Sequence, residues 1–176
     1  MENEQAKTLE GLQLAIQMET DGKIYYQKAC KESDNKVGKE LFEWLAGEED
    51  KHRKRFEQIY SSMKDKKAWP KFDINPAEEE KLADIFSQAM EENGDQVMIS
   101  STEQDAISHA MDMETKTQEF YKGQSEKAAY EIERKFYQIL AAEERSHYLA
   151  LVDYREYILD PSGWLTKMEH PTLDGG

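Results

Sequence analysis

Two stretches, Glu49-Asp50-Lys51-His52 and Glu144-Arg145-Ser146-His147, each set a carboxylate and an imidazole three residues apart. On a helix, positions i and i+3 rise from one face about a turn apart, so each pair can grip a single metal ion. A further glutamate stands 30 residues upstream of each pair: Glu19 before Glu49, and Glu114 before Glu144. The whole set recurs at one offset, since Glu19 to Glu114, Glu49 to Glu144 and His52 to His147 are each 95 residues apart. Carboxylate oxygens with imidazole nitrogens suit iron and manganese and tolerate zinc. Four inward glutamates would be costly to bury as bare charges. Two divalent cations would neutralise them and leave two neutral histidines as the remaining ligands. Without metal the four carboxylates should repel one another, and their pKa values are expected to rise. One Glu-x-x-His is a weak signal in a glutamate-rich helical chain. Duplication with every member in register makes it a two-metal site.

The elements that must hold these residues are long amphipathic helices. The first is predicted over about 3–31, with an inward stripe of Leu9, Leu12, Ile16, Glu19, Tyr26 and Ala29. Ser33, Asp34 and Asn35 supply turn and capping chemistry, and a second helix follows to about Met63. Its seam is Phe42, Leu45, Glu49, His52, Phe56 and Ile59, so Glu49 and His52 stand where Leu or Ile would be expected. Ser100-x-x-Glu103 is a capping box opening a third helix, which is predicted to run to about Lys122 and stop at Gly123. Its stripe is Ile107, Met111, Glu114, Gln118 and Tyr121. The fourth is predicted from about Ser125 to Leu159, where Asp160-Pro161 stops it. Glu144 and His147 interrupt its seam of Tyr137, Leu140, Leu151, Tyr154 and Ile158.

Two hairpins, about 3–63 and 100–159, are thus joined by a crossover over 64–99. Trp69-Pro70 and Asn75-Pro76 mark turns in it, and a short extra helix is predicted over about 77–92. Such a crossover is required if the second and third helices run the same way. The expected fold is an all-α four-helix bundle over residues 1–160, with 161–176 an irregular tail anchored by Trp164 and Leu165. The repeat extends beyond the ligands: AIQMETDGKIYY (15–26) aligns with AMDMETKTQEFY (110–121). Phe42 pairs with Tyr137, Leu45 with Leu140, Ala46 with Ala141 and Glu48 with Glu143 at the same offset.

Tyr26 and Tyr121 lie seven residues past the upstream glutamates, so they face the core near the site. A buried phenol needs an acceptor, and a ligand carboxylate is the candidate, with a plain core tyrosine as the rival. Glu48 and Glu143 point about 100° away from the adjoining ligands. They are expected to be solvated or to support a ligand from behind. His109 is placed on the surface, and His170 lies in the tail without ligand spacing.

Net charge is −14, which argues against nucleic acid or an anionic membrane as partner. The single cysteine, Cys30, excludes an internal disulfide, a zinc ribbon and a four-cysteine iron site, and is expected to pack as a small hydrophobe. The opening MENEQAKTLE is acidic and polar rather than a signal peptide, and no apolar run approaches membrane-spanning length. The expected location is the cytoplasm.

In these residues the chain resembles the rubrerythrin branch of the ferritin-like superfamily, over roughly residues 5 to 160. The resemblance implies a left-handed four-helix bundle and a non-haem centre of two Fe ions, with Mn or Zn as substitutes. Its ligands would be Glu19, Glu49, His52, Glu114, Glu144 and His147, with Glu49 and Glu144 bridging and Glu19 and Glu114 terminal. The implied activity is reduction of hydrogen peroxide or dioxygen in defence against oxidative stress. An iron-handling ferroxidase and a merely metal-stabilised bundle are the alternatives. Family habit favours a homodimer. Classical rubrerythrins also carry a C-terminal rubredoxin domain that feeds electrons to the site; with one cysteine here, an external donor such as a rubredoxin-like protein is expected. The family's extra glutamate, three residues after the third helix's ligand, is replaced by Thr117, whose repeat mate is Gly22. These small side chains are expected to leave room for solvent or an oxidant.

Overall fold

A computed structural model of the protein describes residues 2–66, 69–70 and 100–164. Four long helices make up nearly all of it: α1 (Glu2–Glu32), α2 (Lys36–Lys66), α3 (Ser101–Lys127) and α4 (Glu131–Leu159). The helix predicted over 77–92, the rest of the crossover from residue 71 to 99, and the tail from Leu165 lie outside the described residues.

Each tight turn closes an antiparallel hairpin. Between α1 and α2, Asn35 Oδ1 accepts from the Val37 N–H at 2.8 Å, capping α2 where the sequence places the turn. Ser100 Oγ likewise accepts from the Glu103 N–H at 3.2 Å and opens α3. The second turn departs from expectation. Helix α3 continues through Gly123 to Lys127, and α4 starts at Glu131 rather than Ser125. A lone glycine costs a helix only about 1 kcal/mol, which the packing of α3 exceeds. The break comes at Ala128–Tyr130, where Glu133 Oε2 accepts from the Ala129 N–H at 3.2 Å. The tail also begins differently: residues 161–164 form a helical turn. Asp160 Oδ1 caps it by accepting from the Gly163 N–H at 3.0 Å, and Trp164 packs on Tyr157 at 5.7 Å between ring centroids.

The hairpins face each other with α1 against α3 and α2 against α4. Residue 19 meets 121 and residue 26 meets 114, so α1 and α3 are antiparallel. Contacts of Trp44 with His147 and of His52 with Glu143 show the same for α2 and α4. Helices α2 and α3 therefore run in the same direction. Joining them means travelling the length of a helix of 31 residues, about 46 Å, which is why a crossover of this size is needed.

The core falls into two apolar clusters. One gathers Tyr26, Leu41, Phe42, Leu45, Ile107, Ala110, Leu151, Tyr154 and Ile158. The other gathers Tyr121, Phe136, Tyr137, Leu140, Leu12, Ala15, Phe56, Ile59 and Met63. Each residue named in one is the offset-95 mate of its counterpart in the other, so the sequence repeat is a local twofold relation in space. A layer of buried Glu and His lies at the residue positions between them.

Candidate metal centre

Every residue of the two triads is buried. Glu19, Glu49, His52, Glu114, Glu144 and His147 are all at most 4% exposed. Four come from the Glu-x-x-His turns of α2 and α4, and α1 and α3 each add one glutamate. Both histidines turn Nδ1 inward. His52 Nδ1 lies 3.1 Å from Glu144 Oε1 and 3.4 Å from Glu19 Oε2. His147 Nδ1 lies 3.2 Å from Glu144 Oε2, 3.7 Å from Glu114 Oε2 and 3.9 Å from Glu49 Oε1. Glu144 thus offers one oxygen to each histidine. The two imidazoles stack with centroids 5.6 Å apart.

Donor atoms of Glu19, Glu49 and His52 lie within 4.8 Å of one another, as do those of Glu49, Glu114, Glu144 and His147, so Glu49 belongs to both groups. Glu19 Oε2, His52 Nδ1 and Glu144 Oε1 are buried with no hydrogen-bond partner. Two carboxylate oxygens and an imidazole nitrogen facing one another without an aligned hydrogen bond are expensive in a closed protein. A cation among them removes that cost, so the donor set fits a metal.

The tyrosines take the acceptors the sequence suggests, in a crossed pattern. Tyr26 of α1 donates to Glu114 Oε1 of α3, and Tyr121 of α3 donates to Glu19 Oε1 of α1. Each upstream glutamate has one oxygen tied to the opposite hairpin, and its other oxygen faces a histidine. Burial and the Glu114 and Glu49 charges push the Tyr26 phenol far above its ordinary value, so it stays a proton donor.

The electrostatics correct one expectation. Glu19, Glu49 and Glu114 are raised, chiefly by burial and then by neighbouring carboxylates, with Glu114 pushed up to about 8. Glu144 moves the other way. Burial alone would raise it, but the charges of His52 and His147, with the hydrogen bond from His147, outweigh that and hold it well below the carboxylate range. Burial would in turn lower both histidines, yet their carboxylate partners raise them, His147 to about 10. Four carboxylates do not titrate alike because one of them sits between both imidazoles.

Two neighbours of the site make contacts that the sequence does not show. Glu143 Oε2 lies 2.9 Å from His52 Nε2 and accepts from Arg55 Nη1 at 3.2 Å. An arginine and a glutamate flanking facing seams are a usable signal, but only once α2 is known to oppose α4. Gly22 is the second. A Cβ built there would stand 2.6 Å from Glu49 Oε2, so the Glu49 carboxylate fills the space expected to admit solvent. Lys23 pairs with Asp50 at 2.7 Å and leaves the carboxylate layer alone. His109 is exposed, and Cys30 is free and partly buried.

A helical bundle with carboxylates and histidines gathered between two apolar halves has the construction of the ferritin-like di-iron class. Residues 10–153 match the rubrerythrin family, and the chain belongs to that family. Comparison with curated proteins and with solved structures found no significant match. Among the described residues no helix is long and apolar enough to cross a membrane.

Proposed function

We propose that the protein is a non-haem di-iron oxidoreductase that reduces hydrogen peroxide or dioxygen. The six ligands would be Glu19, Glu49, His52, Glu114, Glu144 and His147. The observation that supports this most is Glu144, with one oxygen toward each histidine, beside a Glu49 common to both donor groups. Shared carboxylates of this kind suit a pair of metals. One iron would take Glu19 and His52 as its own ligands, and the other Glu114 and His147.

A ferrous pair held there would supply the two electrons that convert one hydrogen peroxide and two protons into two waters. The chain's own residues prepare the place. Tyr26 and Tyr121 each hold one oxygen of a terminal glutamate, which fixes the other oxygen toward the interior. The apolar clusters on either side exclude bulk water. An external donor, for example a rubredoxin-like protein, would restore the ferrous state from outside.

The test is anaerobic loading with ferrous iron followed by rapid mixing with peroxide or dioxygen. Two irons per chain that oxidise, stay bound and cycle with added reductant support the proposal. Continuous turnover of added ferrous iron would make iron itself the substrate, and inertness to both oxidants would leave a structural metal.

A further inference from the structure

We propose that the two metal positions are unequal in affinity, and that Glu143, braced by Arg55, is the positioning residue that makes the His52 position the tighter one. The inference rests on the two-metal reading above. With Nδ1 turned inward, His52 has its Nε2–H free to donate, and Glu143 Oε2 accepts it at 2.9 Å. Arg55 Nη1 reaches the same oxygen at 3.2 Å and fixes the carboxylate. Such a carboxylate behind a ligating histidine locks the tautomer and ring orientation and raises the basicity of the ligating nitrogen.

The second half lacks this arrangement although its ligands are duplicated. The repeat mate of Glu143 is Glu48, which pairs with Lys51 at 2.7 Å on its own helix. The mate of Arg55 is Ala150, buried and without charge. What faces the His147 ring is Trp44, T-shaped at 5.3 Å, and its Nε1 is itself buried without a hydrogen-bond partner. Trp44 has Ile139 as its own mate. The halves therefore agree at the ligands and part company directly behind the two histidines. His147 keeps its inward nitrogen but gains no carboxylate behind it among the described residues.

The experiment is competition of Co(II) against a chelator in the full chain, with the proton spectrum recorded after one and two equivalents. Wild type should give two dissociation constants separated by roughly 10–100-fold. The first equivalent should show one slowly exchanging, metal-shifted imidazole N–H, from His52. Glu143→Leu should remove that resonance and collapse the gap between the constants to near unity. Glu143→Gln, which keeps an acceptor without the charge, should retain the resonance and narrow the gap partly; it also guards against a fold defect in the leucine variant. Glu48→Gln should change neither. Two equal constants in wild type, or a gap that survives Glu143→Leu, would overturn the inference while leaving the two-metal site intact. Fewer than two Co(II) per chain would overturn the two-metal reading itself, and this inference with it.

Discussion

Around the carboxylate layer, helices α2 and α4 present the same residues to the interior and unlike residues to the outside. Inward, Leu45, Ala46, Glu49 and His52 recur as Leu140, Ala141, Glu144 and His147, all buried. Outward, Asp50 of α2 gathers Lys54 at 2.6 Å, Lys23 at 2.7 Å and Arg53 at 2.9 Å. The mate of Asp50 is Arg145, which lies over the Tyr148 ring at 5.0 Å, next to an exposed Leu149. The difference shows what constrains each surface. A buried carboxylate has to find a cation or a proton, so the inner positions come in matched sets. Exposed positions have water as an alternative partner and can diverge at little cost.

The strongest challenge to this comparison is removal of a proposed shared ligand. Glu144→Ala should abolish binding of at least one metal per chain, and Glu49→Ala should do the same. Glu144→Ala should also destabilise the metal-free protein by about 3–5 kcal/mol, because it removes the carboxylate between two buried imidazoles. Metal analysis and denaturant unfolding measure both effects. Two metals per chain in either variant would end the claim that the inner positions are fixed by metal.

Metal removal comes next and carries a pH signature. In the metal-free protein Glu114 is raised from 4.5 to about 8, so between those values the native state binds more protons than the unfolded state, and stability falls as pH rises. His147 is raised from 6.5 to about 10; its stabilisation is complete below 6.5 and is lost as pH climbs through 10. Glu144 is lowered, so its contribution is present above 4.5 and disappears only in strong acid. Metal binding displaces protons and strengthens as pH rises. The melting temperature of the metal-free protein should therefore drop between roughly pH 6 and pH 9, while its deficit relative to the loaded protein widens. A metal-free profile that is flat or rises with pH would contradict the buried-carboxylate account.

Much of this interior was legible in the sequence, because helical spacing fixes which residues share a face. Glu49 and His52 interrupt an apolar seam, and the offset of 95 ties them to Glu144 and His147 before any packing is known. What was not legible depends on how separate helices meet. That Tyr26 takes Glu114 rather than the nearer-in-sequence Glu19 follows from α1 and α3 lying antiparallel. The contact of Glu143 with His52 likewise needs the register of α2 on α4. The end of α3 lies beyond Gly123 because packing carries the helix on to Lys127, and a lone glycine in the sequence does not show that packing.

Gly22 and Thr117 offer a finer probe, since they are mates that differ inside the matched region. A methyl at residue 22 would meet Glu49 Oε2 at 2.6 Å and push the shared carboxylate away. Gly22→Ala should cost about 1–3 kcal/mol of overpacking in the loaded protein, offset in part by the roughly 1 kcal/mol that alanine gains over glycine inside a helix. Thr117→Ala should cost less, because Thr117 is only partly buried. Paired thermal melts of loaded protein decide the order. If Thr117→Ala were the more damaging, the close approach at Gly22 would not be what sets the position of Glu49.

The smallest effect belongs to the outer faces. Asp50 is held well below the usual carboxylate range by its hydrogen bonds to Lys23, Lys54 and Arg53. Those partners lie on the protein surface, however, where solvent screening leaves an ion pair worth about 0–1 kcal/mol. Asp50→Asn should therefore shift stability by no more than about 1 kcal/mol, and the shift should shrink further in high salt. On the other hairpin, Arg145→Gln removes a cation stacked on a ring at 5.0 Å. An exposed contact of that kind is worth about 0.5–1 kcal/mol. Neither variant touches a proposed ligand, so metal content should stay at the wild-type value in both. Denaturant unfolding at low and high salt, with metal analysis on the same samples, checks the pair. Loss of metal from Asp50→Asn would mean that the charged network on α2 reaches through the helix to Glu49. The inner and outer faces would then have to be treated as one coupled structure.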